Sequence, residues 1–567
     1  MTDIRRILLG MVFTMSLVLL WDGWNRHTGQ PSMFGLPPAP SATASQPAMA
    51  GGGVPSAPSA ANAASGVPAP ATVAGAVPAA AGAPAVPNTP AGELVTVTTD
   101  VVKASFNTLG GTLERLELLA HKDLIAGQGN VVLLDNSAKR RYMAQTGLVT
   151  GQAGVTLPTH HTAFVPVPGE RTLAADAKTI SIRFESPVID GRRLAKTYTF
   201  TRGDYVVDVK HEFANDGSTA VTPHLYLQLL RDGEKPEGES SFYFTFTGPA
   251  VYTDAAKFQK VEFKDIAKGN AGHAKSGNDG WIAMVQHYFA SAWLVGAAGP
   301  REFRTATVGS NYTVAMVLPL GEVAPGASAV HEAKLFAGPQ EEKKLAALAP
   351  GLDLVKDYGW FTVLSKPLFW LLYELHRVLQ NWGWSIVALV VLLKIGFYWL
   401  NATAYRSMAK MKAVGPRVME MRERLKDNPQ QMQQEMMRIY KEEKVNPFGG
   451  CLPILVQMPF FIALYWVLLS SVEMRNAPWI GWIHDLSAPD PWFILPVLMT
   501  ASSLFQVWLN PTPPDPMQAK LMWMMPLIFG VMFFFFPAGL VLYWLVNNIL
   551  SIAQQWWINK QMGALGK

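Results

Sequence analysis

Residues 382–405 read WGWSIVALVVLLKIGFYWLNATAY, and this stretch decides the fold. Its apolar run is close to the roughly 20 residues that a helix needs to cross a bilayer. One lysine, Lys394, interrupts the run twelve residues after Trp382 and eleven before Tyr405. A lysine at that depth costs on the order of 2.5–3.5 kcal/mol on insertion scales, so another feature of the molecule must offset the cost.

Four more apolar segments of similar length follow this stretch. The charged residues make up only 16% of the chain, whereas soluble domains carry about 25%. Together with 382–404, the four segments predict a five-helix membrane core over 382–567. They lie at 448–470, 492–509, 521–538 and 540–558.

Two explanations for Lys394 remain open. None of the five segments contains Asp or Glu, so the spans supply no acidic partner. Either the long stem snorkels to the cytoplasmic interface, or the ammonium lies in a water-filled cavity open to the cytoplasm. Polar residues in the spans favour the cavity, although such residues also join membrane helices to one another. They are Gln457, Gln506, Asn547, Asn548, Ser551 and Gln554.

The N-terminal 92 residues predict an anchor and a tether. Arg5 and Arg6 precede a short apolar run over 7–21, which suits a signal peptide or an uncleaved signal anchor. No small-residue cleavage site follows closely, so we favour an anchor at 1–25. Residues 26–92 are rich in Ala, Pro and Gly, and 30–92 carry no charge, which is typical of a flexible linker.

Residues 93–350 show a different pattern of apolar and polar residues. Short runs alternate apolar and polar residues, as in Ile180-Ser-Ile-Arg-Phe, and Asp-Gly turns separate several of them. This pattern predicts an antiparallel β-sandwich without a catalytic constellation. We expect His160 and His161, which lie in a Thr/Pro-rich loop, to be surface residues. Residues 351–381 predict an amphipathic helix, lying either on the membrane or within the preceding domain.

The distribution of basic residues orients the membrane core. Ten Lys or Arg lie within 405–447, whereas Arg475 is the one basic residue in 471–491. The positive-inside rule therefore places the first loop and both termini in the cytoplasm, and residues 26–381 on the periplasmic side. With the anchor, six transmembrane helices result.

The cytoplasmic loop predicts a helical hairpin. Apolar residues recur at steps of three and four on both sides of Asp427-Asn-Pro, which predicts two amphipathic helices joined by a turn. Its methionines suit varied apolar partners, or they pack the two helices together. Those on the stripes are Met411, Met421, Met432 and Met436.

Several longer motifs carry a resemblance to a known family. They are Tyr405-Arg-Ser-Met-Ala-Lys-Met, Lys444-Val-Asn-Pro-Phe-Gly-Gly-Cys-Leu-Pro, Gln457-Met-Pro-Phe-Phe-Ile-Ala-Leu-Tyr, Trp482-Ile-His-Asp-Leu-Ser, Asp490-Pro-Trp-Phe-Ile-Leu-Pro and Phe536-Pro-Ala-Gly-Leu-Val-Leu-Tyr-Trp. The chain resembles the YidC/Oxa1/Alb3 membrane protein insertases, most strongly over 380–560. The order of anchor, linker, β-domain and five-span core is similar to the Gram-negative form of that family.

The resemblance implies an inner-membrane insertase and chaperone rather than an enzyme, with a periplasmic β-super-sandwich. A groove open to the cytoplasm and the lipid receives the hydrophilic tail of a nascent membrane protein. The apolar span then leaves along the third and fifth core helices, alone or beside the Sec translocon. The hairpin would contact emerging chains, the ribosome or anionic lipid. The resemblance and the apolar motifs assign the hydrophobic slide to Met458, Phe461, Phe534, Tyr543 and Trp544.

This sequence departs from the family at three positions. Lys394 stands where an arginine is usual, which keeps the charge but loses the bidentate fork. Val390 replaces a common threonine, and Tyr543-Trp544 replaces a pair of tyrosines.

Two other functions are weaker. A transporter for an anionic solute would usually show internal repeats, and an enzyme in the β-domain would need clustered carboxylates or histidines. The single cysteine, Cys451, allows no intrachain disulfide, and no Cys/His metal spacing occurs. We expect no metal, no cofactor and no nucleic-acid sequence recognition.

Overall fold

The computed structural model describes residues 92–123, 129–236, 245–425, 428–443, 452–510 and 516–561. The predicted anchor and the predicted linker up to residue 91 lie outside these residues. The described chain forms two compact units. One contains residues 92–357 together with Ser470–Asn476, and the other contains Tyr358–Leu469 and the chain from Ala477 onward.

Within the described residues, the first unit is built on two antiparallel sheets of nine strands each. In the first sheet the strand order is β1-β2-β3-β4-β5-β10-β17-β16-β13. Its strands are β1 Leu94–Thr98, β2 Val102–Asn107, β3 Thr112–Asp123, β4 Gly129–Asn136, β5 Arg141–Val149, β10 His224–Asp232, β13 Ser276–Gly277, β16 Arg301–Val308 and β17 Asn311–Pro319.

The second sheet has the order β12-β11-β14-β15-β18-β9-β8-β7-β6. Two short helices, α1 and α2, accompany the sheets. The elements are β6 Val165–Pro166, β7 Thr179–Glu185, β8 Arg192–Thr201, β9 Val206–Asn215, β11 Gly248–Thr253, β12 Lys257–Lys260, β14 Trp281–Val285, β15 Phe289–Leu294, β18 Ala327–Pro339, α1 Phe263–Ala267 and α2 Glu342–Leu348.

The two sheets face each other across one apolar core, which confirms the predicted sandwich. In β7 the side chains of Ile180, Ile182 and Phe184 are buried while their neighbours are more exposed, as a period of two requires. Polar bonds also cross the core. The indole of Trp293 on β15 donates to the carbonyl oxygen of Gln228 on β10 at 3.1 Å.

The segment Ser470–Asn476 completes this unit, although it lies more than a hundred residues beyond the last strand. Val472 joins the apolar core. Lys356, whose side chain has no exposed surface, forms an ion pair with Glu473 at 3.1 Å. The Arg475 guanidinium lies 5.2 Å from the ring centre of Tyr288 and donates to the carbonyl oxygen of Lys122 at 3.1 Å.

The second unit is helical. Its helices are α3 Thr362–Leu379, α4 Trp382–Gly396, α5 Tyr398–Arg424, α6 Pro429–Glu442, α7 Leu452–Ser470, α8 Ile494–Leu509, α9 Pro516–Phe533 and α10 Ala538–Gln561. Polar side chains define several of the starts. Asn381 accepts from the Trp384 amide at 3.0 Å, and the buried Asp490 accepts from the Leu495 amide at 2.7 Å. Each bond satisfies an amide that the first helical turn leaves without an intrahelical acceptor.

The segment that we expected to form one span over 382–404 is broken. Within the described residues no single helix has both the length and the apolar character to cross a membrane, whereas Trp382–Gly396 and Tyr398–Met411 have them in combination, across a bend of 68°. The break falls at Phe397, whose φ of −92° and ψ of 11° are not helical. It follows Gly396, and glycine is a weak helix former.

Candidate functional site

A pocket lies beside Lys394, between α4, α7 and α10. We call it the lysine pocket. Three of its lining side chains are polar and the other six are aliphatic or aromatic, so a single cation faces largely apolar walls. The polar residues are Lys394, Gln457 and Asn547, and the others are Val390, Leu393, Phe397, Phe460, Phe461 and Tyr543.

The lysine is held by a hydroxyl group. Lys394 Nζ donates to Ser551 Oγ at 2.7 Å, and Ser551 Oγ donates to the carbonyl oxygen of Asn547 at 2.7 Å. This hydroxyl, and not a carboxylate, is the lysine's hydrogen-bond partner among the residues that the structure describes. The side chain of Lys394 is half-buried.

Gln457 extends the polar wall of the pocket towards α5. Its amide nitrogen donates to Asn401 Oδ1 at 2.8 Å. Asn401 is only 4% exposed, and we did not predict it. It lies four residues after Phe397, within an otherwise apolar run, so the same search of the sequence for polar residues could have found it.

The remaining polar residues of the predicted site lie elsewhere. Asn548 bonds Ser502 on α8 at 2.9 Å, so it joins two helices. Gln554 donates to the carbonyl oxygen of Tyr398, at the start of α5, at 3.3 Å. Gln506 is half-buried on α8. The structure therefore brings four of the seven predicted residues together, namely Lys394, Gln457, Asn547 and Ser551. The other three lie elsewhere in the helical unit.

The residues predicted for the hydrophobic slide do not form one exposed stripe. Phe461 and Tyr543 pair at 5.8 Å between ring centres, and Tyr543 is only 3% exposed. Trp544 packs on Phe533 and Phe536, whereas Phe534 packs on Phe493. Met458 is the most open of the five, with 47% of its surface exposed.

The five slide residues are spread over three parts of the chain. They lie on α7, on α10 and in the turn after α9. These are the second, fifth and fourth segments of the predicted core. The third segment, which matches α8, contributes none of them.

The hairpin forms as the spacing predicts. Val414, Val418 and Met421 on α5 pack against Ile439 on α6, and the partly buried methionines Met411, Met432 and Met436 complete the cluster. All four methionines of the predicted stripes thus pack the two helices together. Met419 and Met437, which are 55% and 57% exposed, are the methionines that the hairpin presents outward.

The helix predicted within 351–381 is α3. It buries Ser365, Leu368, Phe369 and Leu372, and the Ser365 hydroxyl donates to the carbonyl oxygen of Ala463 on α7 at 3.1 Å. Its other side presents Val363, Trp370 and Val378, which are 86%, 59% and 80% exposed, together with the ion pair of Arg377 and Glu374. The predicted helix is therefore present, and its amphipathic character and its location on a membrane stay predictions.

Comparison with known proteins assigns both units. A family described as the YidC periplasmic domain matches residues 94–371, and one described as 60Kd inner membrane protein matches 374–564. The membrane protein insertase YidC of Cupriavidus necator is 55% identical over 99% of this chain and 98% of its own length. The chain belongs to the YidC insertase family.

A second sequence relative agrees with this assignment. The membrane protein insertase YidC of Burkholderia multivorans is 51% identical over all of this chain and 99% of its own. A crystal structure described as an active YidC insertase with its first transmembrane domain resolved is 16% identical and covers 82% of this chain and 94% of that one, at a TM-score of 0.38. A galactose mutarotase-like protein from Lactobacillus casei is 12% identical over 43% of this chain and all of that one, at a TM-score of 0.30. The family assignment rests on the sequence relatives.

The YidC periplasmic domain of this chain contains a buried basic row that we did not predict. Lys196, His211 and His331 are register partners across β8, β9 and β18. Lys196 Nζ donates to the carbonyl oxygens of Gly110 at 2.6 Å and Thr146 at 2.7 Å. Burial lowers the pKa of Lys196 to about 7, and burial together with Lys196 lowers the pKa of His211.

This row is a core feature rather than an enzyme site. Lys196 and His211 are fully buried, and no cluster of metal-binding side chains occurs among the described residues. Strand period would have found Lys196, because it has the same parity as the buried Leu194 and Tyr198. The insertase names of the relatives likewise indicate a protein that is not an enzyme.

One histidine prediction was wrong. His160 is 5% exposed, and its ring lies 2.7 Å from the Tyr226 hydroxyl, which also accepts from the His160 amide. The loop folds back onto β10, so a Thr/Pro-rich composition did not imply exposure. His161 is exposed, as predicted.

Proposed function

We propose that the lysine pocket is the inner part of a groove that receives the hydrophilic tail of a nascent membrane protein. The observation that carries the proposal is the lysine itself. Its partner is a neutral hydroxyl, so its charge stays available to a ligand. Low-dielectric walls strengthen the attraction between that charge and an acidic tail.

The groove lowers the barrier to translocation without any covalent chemistry. A polar tail that enters a wet recess has less hydrocarbon to cross, and each unsatisfied backbone group in hydrocarbon costs several kcal/mol. Gln457 and Asn547 add neutral hydrogen-bonding groups, which suit tails of varied sequence. The client's apolar span then leaves into lipid along the aromatic residues of α7, the turn after α9, and α10.

The topology follows from the charge distribution. We place six transmembrane helices in the inner membrane, with both termini and the hairpin in the cytoplasm and residues 26–381 on the periplasmic side. The open face of α3 rests on the membrane surface, because Val363, Trp370 and Val378 are apolar and lie along one side of an amphipathic helix.

The partners follow from these surfaces. Clients are nascent membrane proteins, received alone or beside the Sec translocon, and the chain acts on them as insertase and chaperone. The hairpin meets emerging chains through its outward methionines. Its basic residues suit the phosphates of the ribosome or of anionic lipid.

The groove is tested by access from the cytoplasmic side. We expect Lys394→Cys, in a Cys451→Ser background, to react with a membrane-impermeant maleimide in inverted vesicles. Ile395→Cys is the matched control, because Ile395 is adjacent on α4 but 66% exposed on the outside of the helical unit, where lipid would cover it. No labelling at 394, with normal labelling of a cysteine placed in the hairpin, would contradict the groove and leave snorkelling as the account.

A further inference from the structure

The hydrogen bond between Lys394 on α4 and Ser551 on α10 has no assigned role in the function proposed above. Ser551 is 6% exposed and accepts from Lys394 Nζ at 2.7 Å. Its own hydrogen is engaged four residues back, at the carbonyl oxygen of Asn547, 2.7 Å away. A serine hydroxyl has one hydrogen and two acceptor lone pairs, so this backbone bond turns a lone pair towards the lysine.

The bond decides where the ammonium lies. A lysine stem has four methylene groups and loses much rotamer freedom when it is held in one position. Without a local acceptor, a lysine within a span extends towards the interface, where water solvates it. An acceptor on the neighbouring helix is therefore what retains the charge beside the pocket.

We propose that Ser551 is a positioning residue that fixes the Lys394 ammonium at the wall of the lysine pocket and thereby sets the preference for clients with acidic tails. The inference rests on the proposed function of the groove. An ammonium has three hydrogens, so Ser551 leaves two of them for carboxylate oxygens on a passing tail. Asn547 takes part through its backbone while its side chain lines the same pocket.

The geometry also suits a lysine at this position. A single hydroxyl is a point acceptor that matches a point charge, whereas a guanidinium presents a planar fork that prefers two acceptors. The pair Lys394 and Ser551 is thus a matched unit, in which the serine supplies the direction that the lysine stem lacks.

The test compares two clients that differ only in the charge of the translocated tail, in cells depleted of the native copy. We expect Ser551→Ala to lower insertion of the acidic-tail client about fivefold, the size expected for the loss of one hydrogen bond of roughly 1 kcal/mol. Insertion of the neutral-tail client should stay unchanged. Ser551→Thr, which keeps the hydroxyl, should restore the preference.

Two further variants distinguish a positioning role of Ser551 from a role in helix packing. Ser385→Ala is the matched control, because Ser385 is also fully buried on α4 but donates within its own helix to Asn381. It should leave the preference unchanged. In a Lys394→Ala background, Ser551→Ala should have no further effect, since the bond that it removes is already absent.

The outcomes distinguish this proposal from the groove itself. Equal losses for both clients, or additive losses in the double variant, would mean that Ser551 only packs α10, and the proposal would be wrong. If the Lys394→Glu protein inserts acidic-tail clients normally, the charge at position 394 has no role. That result would contradict the proposed function itself, independently of Ser551.

Discussion

At the scale of single residues, the charge of Lys394 is the property that matters. The lysine faces a pocket with largely apolar walls and has a neutral partner, so a client tail in the proposed groove would experience its charge almost undiminished. We expect Lys394→Arg to keep insertion and Lys394→Ala to be milder for neutral-tail clients than for acidic ones. Lys394→Glu should lower insertion of acidic-tail clients about tenfold, which corresponds to about 1.4 kcal/mol.

These variants are measured by protease protection of the two clients after depletion of the native copy. The level of each variant in the membrane serves as the control for folding. Equal insertion of acidic-tail clients by Lys394→Glu and by the unchanged protein would remove the electrostatic role.

A second prediction concerns Lys196 and the stability of the β-domain. The pKa of Lys196 falls from 10.5 to about 7 on folding because of burial. Between these values the unfolded chain binds one more proton, so stability rises with pH by up to about 1.4 kcal/mol per unit. The pKa of His211 is also lowered by burial, which continues the loss of stability below pH 6.5.

The measurement is thermal unfolding of the full-length protein in detergent, followed through the β-sheet circular dichroism. The midpoint should rise between pH 7 and pH 9, and Lys196→Met should flatten that rise. His211→Gln is the matched control, because it should leave the alkaline slope intact and flatten the acid one. A Lys196→Met protein with an unchanged alkaline slope would contradict the assignment.

The two lysines show what sequence can and cannot predict about residues. Lys394 was found because a charge in an apolar run is anomalous at once. Lys196 lies in a strand with a mixed composition, and its burial became evident only from the parity of its neighbours. His160 was misassigned because its burial depends on Tyr226, sixty-six residues away, and no local pattern encodes such a contact.

At the scale of elements, the hairpin has two different sides. At about 100° per residue, Met419 on α5 and Met437 on α6 fall on one side. Arg417 pairs with Glu442 at 3.1 Å and with Glu443 at 2.8 Å on the other. Arg417 is thus paired within the hairpin, whereas the methionine side is open to an apolar partner.

We therefore predict that Met419→Gln combined with Met437→Gln impairs insertion while the hairpin stays folded. Met421→Gln is the contrasting variant, because Met421 is 4% exposed and its loss from the packed face should destabilise the hairpin by about 2 kcal/mol. Crosslinking of stalled clients measures contact, and limited proteolysis of the hairpin measures folding. Full crosslinking and insertion by the double variant would show that the outward methionines have no role.

Some of these elements could be predicted from the sequence, and others could not. The packed stripe of the hairpin follows from spacing alone, because two helices joined by a short turn must bury the apolar faces that they share. The break at Phe397 was not predicted. An apolar run gives the same hydropathy whether it is straight or bent, and only Gly396 hinted at the bend.

At the scale of the whole molecule, the motifs that carry the family resemblance lie at 405–544, beyond the β-domain. Val390 is the first of the residues that line the lysine pocket, and the others follow it in the chain. We predict that a protein lacking most of the β-domain retains most of its insertion activity. Depletion of the native copy followed by growth and client insertion measures this.

The structure shows where such a deletion should end. β18 runs between β15 and β9, so a deletion of 100–320 would leave a buried strand without neighbours. A deletion of residues 93–340 removes β18 as well and retains Lys356, the ion-pair partner of Glu473. Complete loss of insertion, with the helical unit still present in the membrane, would contradict the prediction. The β-sandwich and the order of the segments were evident from sequence, whereas the inclusion of Ser470–Asn476 in the β unit was not, because it depends on tertiary contacts.

That inclusion has a consequence for the order of synthesis. The β-domain strands end at Pro339, but the partner of Lys356 is Glu473, 117 residues later. At about 5–20 residues per second, a ribosome needs roughly 6–23 seconds to make that stretch. During this interval Glu473 is not yet available to Lys356, and Val472 is absent from the core of the domain. The β-domain therefore completes its core only after α3 to α7 have been made, so its folding depends on synthesis of the first helices of the helical unit.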